Sequence, residues 1–293
     1  MNAFDIVTRA FVSQLSLPTP VVPWHKPWRP GYHGAISRAM KKEYSPLNQM
    51  ILSHSGEYIG VQAAIELKAD FRGVRREEAV WASRYDRKTG EVDPETGEEK
   101  TRTCFGYKRH GVLPVALLKD RDGNPLQPLT PPVDAMDASA VTSSDIDALV
   151  SSYLSKAGLL LRTDASLRPE YDPASREVRI PPVTCFESQS AYYACLFRLL
   201  VQSTGDPHLL DRAAPATEHA RVQEELTLEI GSSLLLSACC LDTDEVFNNS
   251  VAYASMWASR LTDHSSAALL ASTAAEKAVN LILGLVRETH SAS

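Results

Sequence analysis

The chain has 293 residues, 44% of them hydrophobic and 23% charged, with a formal net charge of −6. This balance suits two globular domains and excludes collagen-like, disordered and disulfide-scaffold classes. No apolar stretch is long enough to span a bilayer, and the first residues lack the basic start and apolar run of a secretory leader, so a cytoplasmic protein without membrane contact is expected.

The first predicted element is a helix over 2–17, from apolar residues at Phe4, Ile6, Val7, Phe11, Val12 and Leu15. The prolines of "LPTPVVPW" end it. "SPLNQMILSHSG" and "EYIGVQAAIELKADFRG" read as helices closed by glycine. "EAVWASRYDR" and "FGYKRHGVLPVALLKD" alternate apolar and polar residues and read as strands, with "KTGEVDPETGEEKTR" a polar loop between them. The expected first domain, residues 1–125, is thus small and α+β. Residues 126–143, rich in proline and small residues, read as a linker.

The expected second domain, residues 144–293, is a helix-rich α+β unit. It opens with a helix at "SSDIDALVSSYLSKAG", followed by a hairpin at "YDPASREVRIPP". Long helices are expected near 187–203, 217–240 and 265–288, with a shorter amphipathic segment at "NNSVAYASMWASRL". The five cysteines, Cys104, Cys185, Cys195, Cys239 and Cys240, include no C-x-x-C pair and read as reduced, mostly buried thiols.

Charge divides unevenly. Residues 1–125 carry 19 Lys+Arg against 15 Asp+Glu, and the remainder 11 against 21. The front half could meet a polyanion; the back half would repel one. In "PWHKPWRP", Trp24 and Trp28 alternate with Lys26 and Arg29. Such interleaving of stacking faces and cations is how a sequence-tolerant single-strand binder is built. The same pattern fits tryptophans in a core beside solvated cations, and the sequence leaves both readings open. "FRGVRREE" presents Arg72, Arg75 and Arg76 around a glycine, and "GYKRHG" adds Lys108 and Arg109.

The helix near 187–203 has the outline of a catalytic element without the residues for it. A zinc hydrolase helix needs His at i and i+4 and Glu at i+1. Here those places hold Arg198, Leu199 and Gln202. Arginine is always protonated and ligates no metal, and leucine moves no proton. His208, His219, Glu224, Glu225 and Glu229 follow at spacings that match no metal pattern. No P-loop, G-x-G-x-x-G or G-x-S-x-G motif occurs.

The ordered series "PWHKPW", "YSPLNQMIL", "GVRREE" and "GYKRHGVLPV", then "REVRIPPVTCFESQSAYYACLF", "STGDPHLLDR" and "EELTLEIGSSLL", resembles the ArdC-type antirestriction family of plasmids and phages. The resemblance implies a single-stranded-DNA-binding front domain and a zincin-like metallopeptidase back domain. It implies nucleic-acid-binding roles for Trp24, Trp28, Tyr44, Asn48, Arg75 and Arg76. It puts the family's His-Glu-x-x-His on Arg198, Leu199 and Gln202, a further histidine on Asp206, and the third acidic ligand on Glu225. A glycine of the family's basic turn falls on Glu77. The resulting expectation is a non-catalytic, sequence-independent single-stranded-DNA binder without cofactor. Its back half is a pseudo-metallopeptidase that could serve a protein partner, and Arg198 fills the vacated place by pairing with Glu225 or Glu224. The alternatives are a metal-dependent hydrolase with a rearranged site, using His208, His219 and the nearby glutamates, and a protein-interaction module without DNA binding.

Overall fold

The computed structural model describes residues 2–25, 34–92, 99–129, 141–212, 214–241 and 251–285. It is α+β throughout and divides into two compact units: Met1–Ile6 with Ala35–Pro131, and Val7–Gly34 with Pro132–Ser293. This division corrects the boundary drawn from composition. Residues 7–34 group with the second unit, where Phe11 and Trp24 are buried. Of the expected linker, 130–140 lies outside the described residues.

Helix α1 (Ala3–Leu15) opens with a reciprocal cap. The Asp5 N–H donates to Asn2 Oδ1 at 2.9 Å, and the Asn2 N–H donates to Asp5 Oδ2 at 3.0 Å. The first unit continues with β1 (Ala35–Ser37), β2 (Lys42–Glu43), α2 (Pro46–Ile51), β3 (Gly56–Gly60) and α3 (Val61–Glu66). A long hairpin of β4 (Glu77–Val92) and β5 (Glu99–Pro114) completes it. The sheet order is β2-β1-β3-β5-β4, with β1 and β3 parallel and the other pairs antiparallel. Both faces of β3 are covered. Tyr58 packs with Ala35, Tyr44, Ala79 and Val112, while Ile59 packs with Ala64, Leu113 and Leu118. A strand buried on both faces loses its period-2 signature. That is why "EYIG", followed without a break by a helix, reads as part of that helix in the sequence.

Helix α2 locks two strands through its amides. Gln49 Oε1 accepts from the Ala35 N–H at 2.6 Å while its Nε2 donates to the Ala35 carbonyl at 2.8 Å. Asn48 does the same to Val80: its Oδ1 accepts from the Val80 N–H at 2.7 Å and its Nδ2 donates to the Val80 carbonyl at 2.8 Å. β4 is the sheet edge. Asn48 therefore satisfies backbone groups that the sheet leaves open there.

The second unit holds α4 (Ser143–Ala157), β6 (Leu160–Thr163), β7 (Glu170–Asp172), β8 (Glu177–Ile180), α5 (Gln189–Ser203), α6 (Glu218–Ala238), α7 (Val251–Asp263) and α8 (Ala267–Ile282). Thr142 caps α4 in a capping box with Asp145, and Gly158 ends that helix at φ 64°. The left-handed backbone there favours glycine. The small sheet runs β6-β8-β7. α6 is the central helix, packed on α5 and α8. Its crossing with α5 is close: a β-carbon at Gly231 would meet Val201 Cγ2 at 2.8 Å and Cγ1 at 2.9 Å. Among the described residues no helix is long and apolar enough to cross a membrane.

Candidate functional site

Two places carry chemistry, one in each unit. In the first, the β4–β5 hairpin presents aromatic and cationic side chains at the surface. Phe105 is 79% exposed and Tyr85 47% exposed. Cross-strand partners share a face, so Phe105 stands with Arg84, and Arg109 lies two pairs away on that same face. On the opposite face, Lys108 is paired with Trp81, and Tyr85 lies over Gly106, where a β-carbon would meet its ring at 3.1 Å. Trp81 is half-buried, edge-on to His110 with ring centroids 4.7 Å apart. Arg84, Lys108 and Arg109 are exposed.

The residues expected to bind nucleic acid are distributed differently. Lys108 and Arg109 lie on this hairpin. Arg75 is exposed before it, Arg76 pairs with Glu78 at 2.9 Å, and Arg72 pairs with Asp70 at 2.8 Å. Tyr44 and Asn48 are corrections: both are buried, Tyr44 against Tyr58 and Trp81, and Asn48 in its clamp on Val80. Glu77 is no turn residue; its carboxylate accepts from the Ser53 N–H at 2.7 Å and the Tyr58 hydroxyl at 3.1 Å. Burial and then the Glu77 charge raise the Tyr58 pKa far above the usual phenol range. Lys26, Trp28 and Arg29 lie outside the described residues.

Trp24 is the largest correction. It is fully buried in the second unit, its ring 5.7 Å from those of both Phe11 and Trp257. Its carbonyl accepts from Ser233 Oγ on α6 at 2.6 Å. His25, next in the chain, stacks on Tyr253 of α7 at 6.3 Å with an interplanar angle of 14°. "PWH" is therefore part of the second unit's interior, beside its candidate centre.

That centre lies where α5 faces α6 and α7. Arg198 Nη1 donates to Glu229 Oε1 at 2.7 Å, and the Tyr253 hydroxyl donates to Glu229 Oε2 at 3.0 Å. The Arg198 side chain is 37% exposed and that of Glu229 18%. Burial, followed by the Glu229 charge, pushes the Tyr253 pKa well above the phenol range, so this hydroxyl remains a donor at neutral pH. Leu199 is buried and Gln202 exposed. An arginine does sit against a glutamate here, but the expected partners, Glu225 and Glu224, are wrong. Glu225 pairs with Arg260, and Glu224 takes Arg212 at 2.8 Å. Glu229 lies one helical turn beyond Glu225 on the same face. That spacing was the available signal for it.

Arg212 and Asp206 are structural. Arg212 donates to the Val201 carbonyl at 2.9 Å and to Thr204 Oγ1 at 2.6 Å, closing the C-terminus of α5. Asp206, placed by resemblance at a metal-binding position, is buried and accepts from the His208 N–H at 2.9 Å and from Tyr171 at 3.2 Å. The His208 amide is the largest cause of its lowered pKa. Among the described residues no three His, Cys, Asp or Glu side chains form a group able to hold a metal ion. The donor set at this centre does not fit one: the Arg198 guanidinium, which ligates no metal, holds the Glu229 carboxylate.

Residues 149–275 match the family model described as a zincin-like metallopeptidase, MPTase-PolyVal. No curated protein matches the chain. A crystal structure of the antirestriction ArdC protein from the R388 plasmid, metal-free, is similar over 96% of this chain and 97% of that one. The identity is 25% and the TM-score 0.66. The Mn(II)-bound structure of that protein is similar over 97% and 98%, at 23% identity and a TM-score of 0.63. Fold and helix pair thus define a two-domain protein with a zincin-like metallopeptidase domain. Over nearly its whole length the chain is similar to the ArdC antirestriction protein, and its second unit carries the zincin-like domain.

Proposed function

We propose that this chain is a sequence-independent single-stranded-DNA-binding protein of the ArdC antirestriction type, non-catalytic at its metallopeptidase centre and acting in the cytoplasm. The carrying observation is the β4–β5 hairpin, with exposed Phe105, Arg84 and Arg109 on one face and exposed Tyr85 and Lys108 on the other. Bases stack on exposed rings while cations neutralise the strand's phosphates. The hairpin replaces Trp24, Tyr44 and Asn48 as the interface, since those three are enclosed by protein.

The back half is proposed to be a pseudo-metallopeptidase. The similar R388 protein was crystallised with Mn(II). In this chain Arg198 supplies the positive charge facing Glu229, and Leu199 supplies no base. A buried carboxylate without a counter-charge is costly, so replacing ligands by arginine keeps the helix pair intact without metal.

Fluorescence anisotropy with a labelled oligothymidine tests the reading. Three phosphate contacts give a log–log salt slope of about −2. The double variant Phe105→Ala/Tyr85→Ala should lose affinity while retaining the wild-type circular dichroism spectrum. Unchanged affinity in that variant would sink the proposal.

A further inference from the structure

Away from both places, the turn between α7 and α8 brings three side chains into a chain of contacts. Ser266 Oγ lies 2.9 Å from His219 Nε2, and the other nitrogen of that ring, Nδ1, lies 3.4 Å from His264 Nδ1. His219 stands in the first turn of α6; His264 and Ser266 flank the start of α8. The turn is fixed by its backbone: the His264 N–H donates to the Arg260 carbonyl at 3.0 Å, and the Ala267 N–H donates to the His264 carbonyl at 2.9 Å. All three side chains are half-buried, within reach of a small molecule. Ser266 is the N-cap of α8, yet its hydroxyl makes no capping bond. A serine at that place ordinarily turns its oxygen to the helix amides. Here the oxygen is turned to an imidazole.

We propose that Ser266, His219 and His264 form a nucleophile, base and positioning group for acyl transfer from a carboxylic ester. The roles follow from the two contacts. With Ser266 O–H donating to His219 Nε2, the second His219 nitrogen carries a proton and donates to His264 Nδ1, which fixes the ring. Ser266 Oγ attacks the acyl carbon, and its proton passes to His219 Nε2. The ester C–O bond breaks, and the departing alkoxide takes that proton to leave as the alcohol. A water then attacks the acyl-serine, giving its proton to His219, which returns it to Ser266 as the acid departs. His264 is a positioning residue: it acts on the substrate only through His219.

The test is covalent labelling with a fluorophosphonate, read by intact mass and peptide mapping. The expected result is a single adduct on Ser266, absent in Ser266→Ala and slowed about 100-fold in His219→Gln. For His264 the readout is a pair of variants. In His264→Asn, Oδ1 replaces the imidazole Nδ1 as acceptor and the labelling rate should stay near wild type. His264→Leu has no acceptor and should label about ten-fold more slowly. No adduct on the wild-type chain, an adduct that maps elsewhere, or equal rates in the two His264 variants would each overturn the assignment. Circular dichroism on every variant separates a lost site from a lost fold, and the wild-type result alone is decisive if the variants unfold.

Discussion

Arg198 on α5 and Glu229 on α6 face each other with 2.7 Å between Nη1 and Oε1. The pair joins the two helices directly, guanidinium to carboxylate. Because the Arg198 side chain is 37% exposed, its strength is that of a partly screened pair. A double-mutant cycle on Arg198→Ala and Glu229→Gln, read by urea denaturation, should give a coupling of about 1 kcal/mol. A coupling of zero would mean the contact holds nothing together.

The proposed loss of a metal centre can be tested by restoring the ligands. Glu229 already faces the helix, so Arg198→His with Leu199→Glu and Gln202→His creates two imidazoles and a carboxylate on facing turns. Calorimetry should show Zn(II) or Mn(II) binding in the triple variant and none in the parent at the same concentrations. The triple variant failing to bind while folded would place Glu229 outside the centre.

Trp24 and Phe105 should respond oppositely to alanine. Trp24 is fully buried, and its truncation should cost about 3–5 kcal/mol of stability in thermal or urea melts. Phe105 is 79% exposed, and its truncation should leave stability near wild type while weakening oligothymidine binding by about 1–3 kcal/mol.

Gly231→Ala inverts the usual helix rule. In a free helix, alanine is favoured over glycine by about 1 kcal/mol. At this crossing the added carbon meets Val201 at 2.8 Å, so the variant should instead be destabilised by about 1–3 kcal/mol. The compensating variant Val201→Ala should recover part of the loss.

The Asp206 carboxyl is held below the usual carboxylate range, first by the His208 amide. A lowered folded-state value means that the unfolded chain binds protons first. The stabilisation is therefore complete above about pH 4, the unfolded value, and disappears as pH falls through the folded one. Asp206→Asn should flatten this acid limb of the stability–pH curve and lower stability at neutral pH. An unchanged acid limb would assign the acid sensitivity to other carboxylates.

What the sequence determined by itself were the features carried by near neighbours along the chain. The periodicities of α1, α5, α6 and α8 and of the β4–β5 hairpin were legible because each repeats within one element. So was the absence of a His-Glu-x-x-His pattern at Arg198, Leu199 and Gln202, since residue identity is read directly from the chain. Tertiary structure alone decided which of two like residues faces what. Trp24 went to the core because Phe11, Trp257 and Ser233, far away in sequence, enclose it, and no local pattern separates an enclosed tryptophan from a stacking one. Glu229 rather than Glu225 met Arg198 because the α5–α6 crossing, set by Gly231 against Val201, selects one turn of an otherwise equivalent face. Burial and partner choice are long-range properties, fixed by packing between segments.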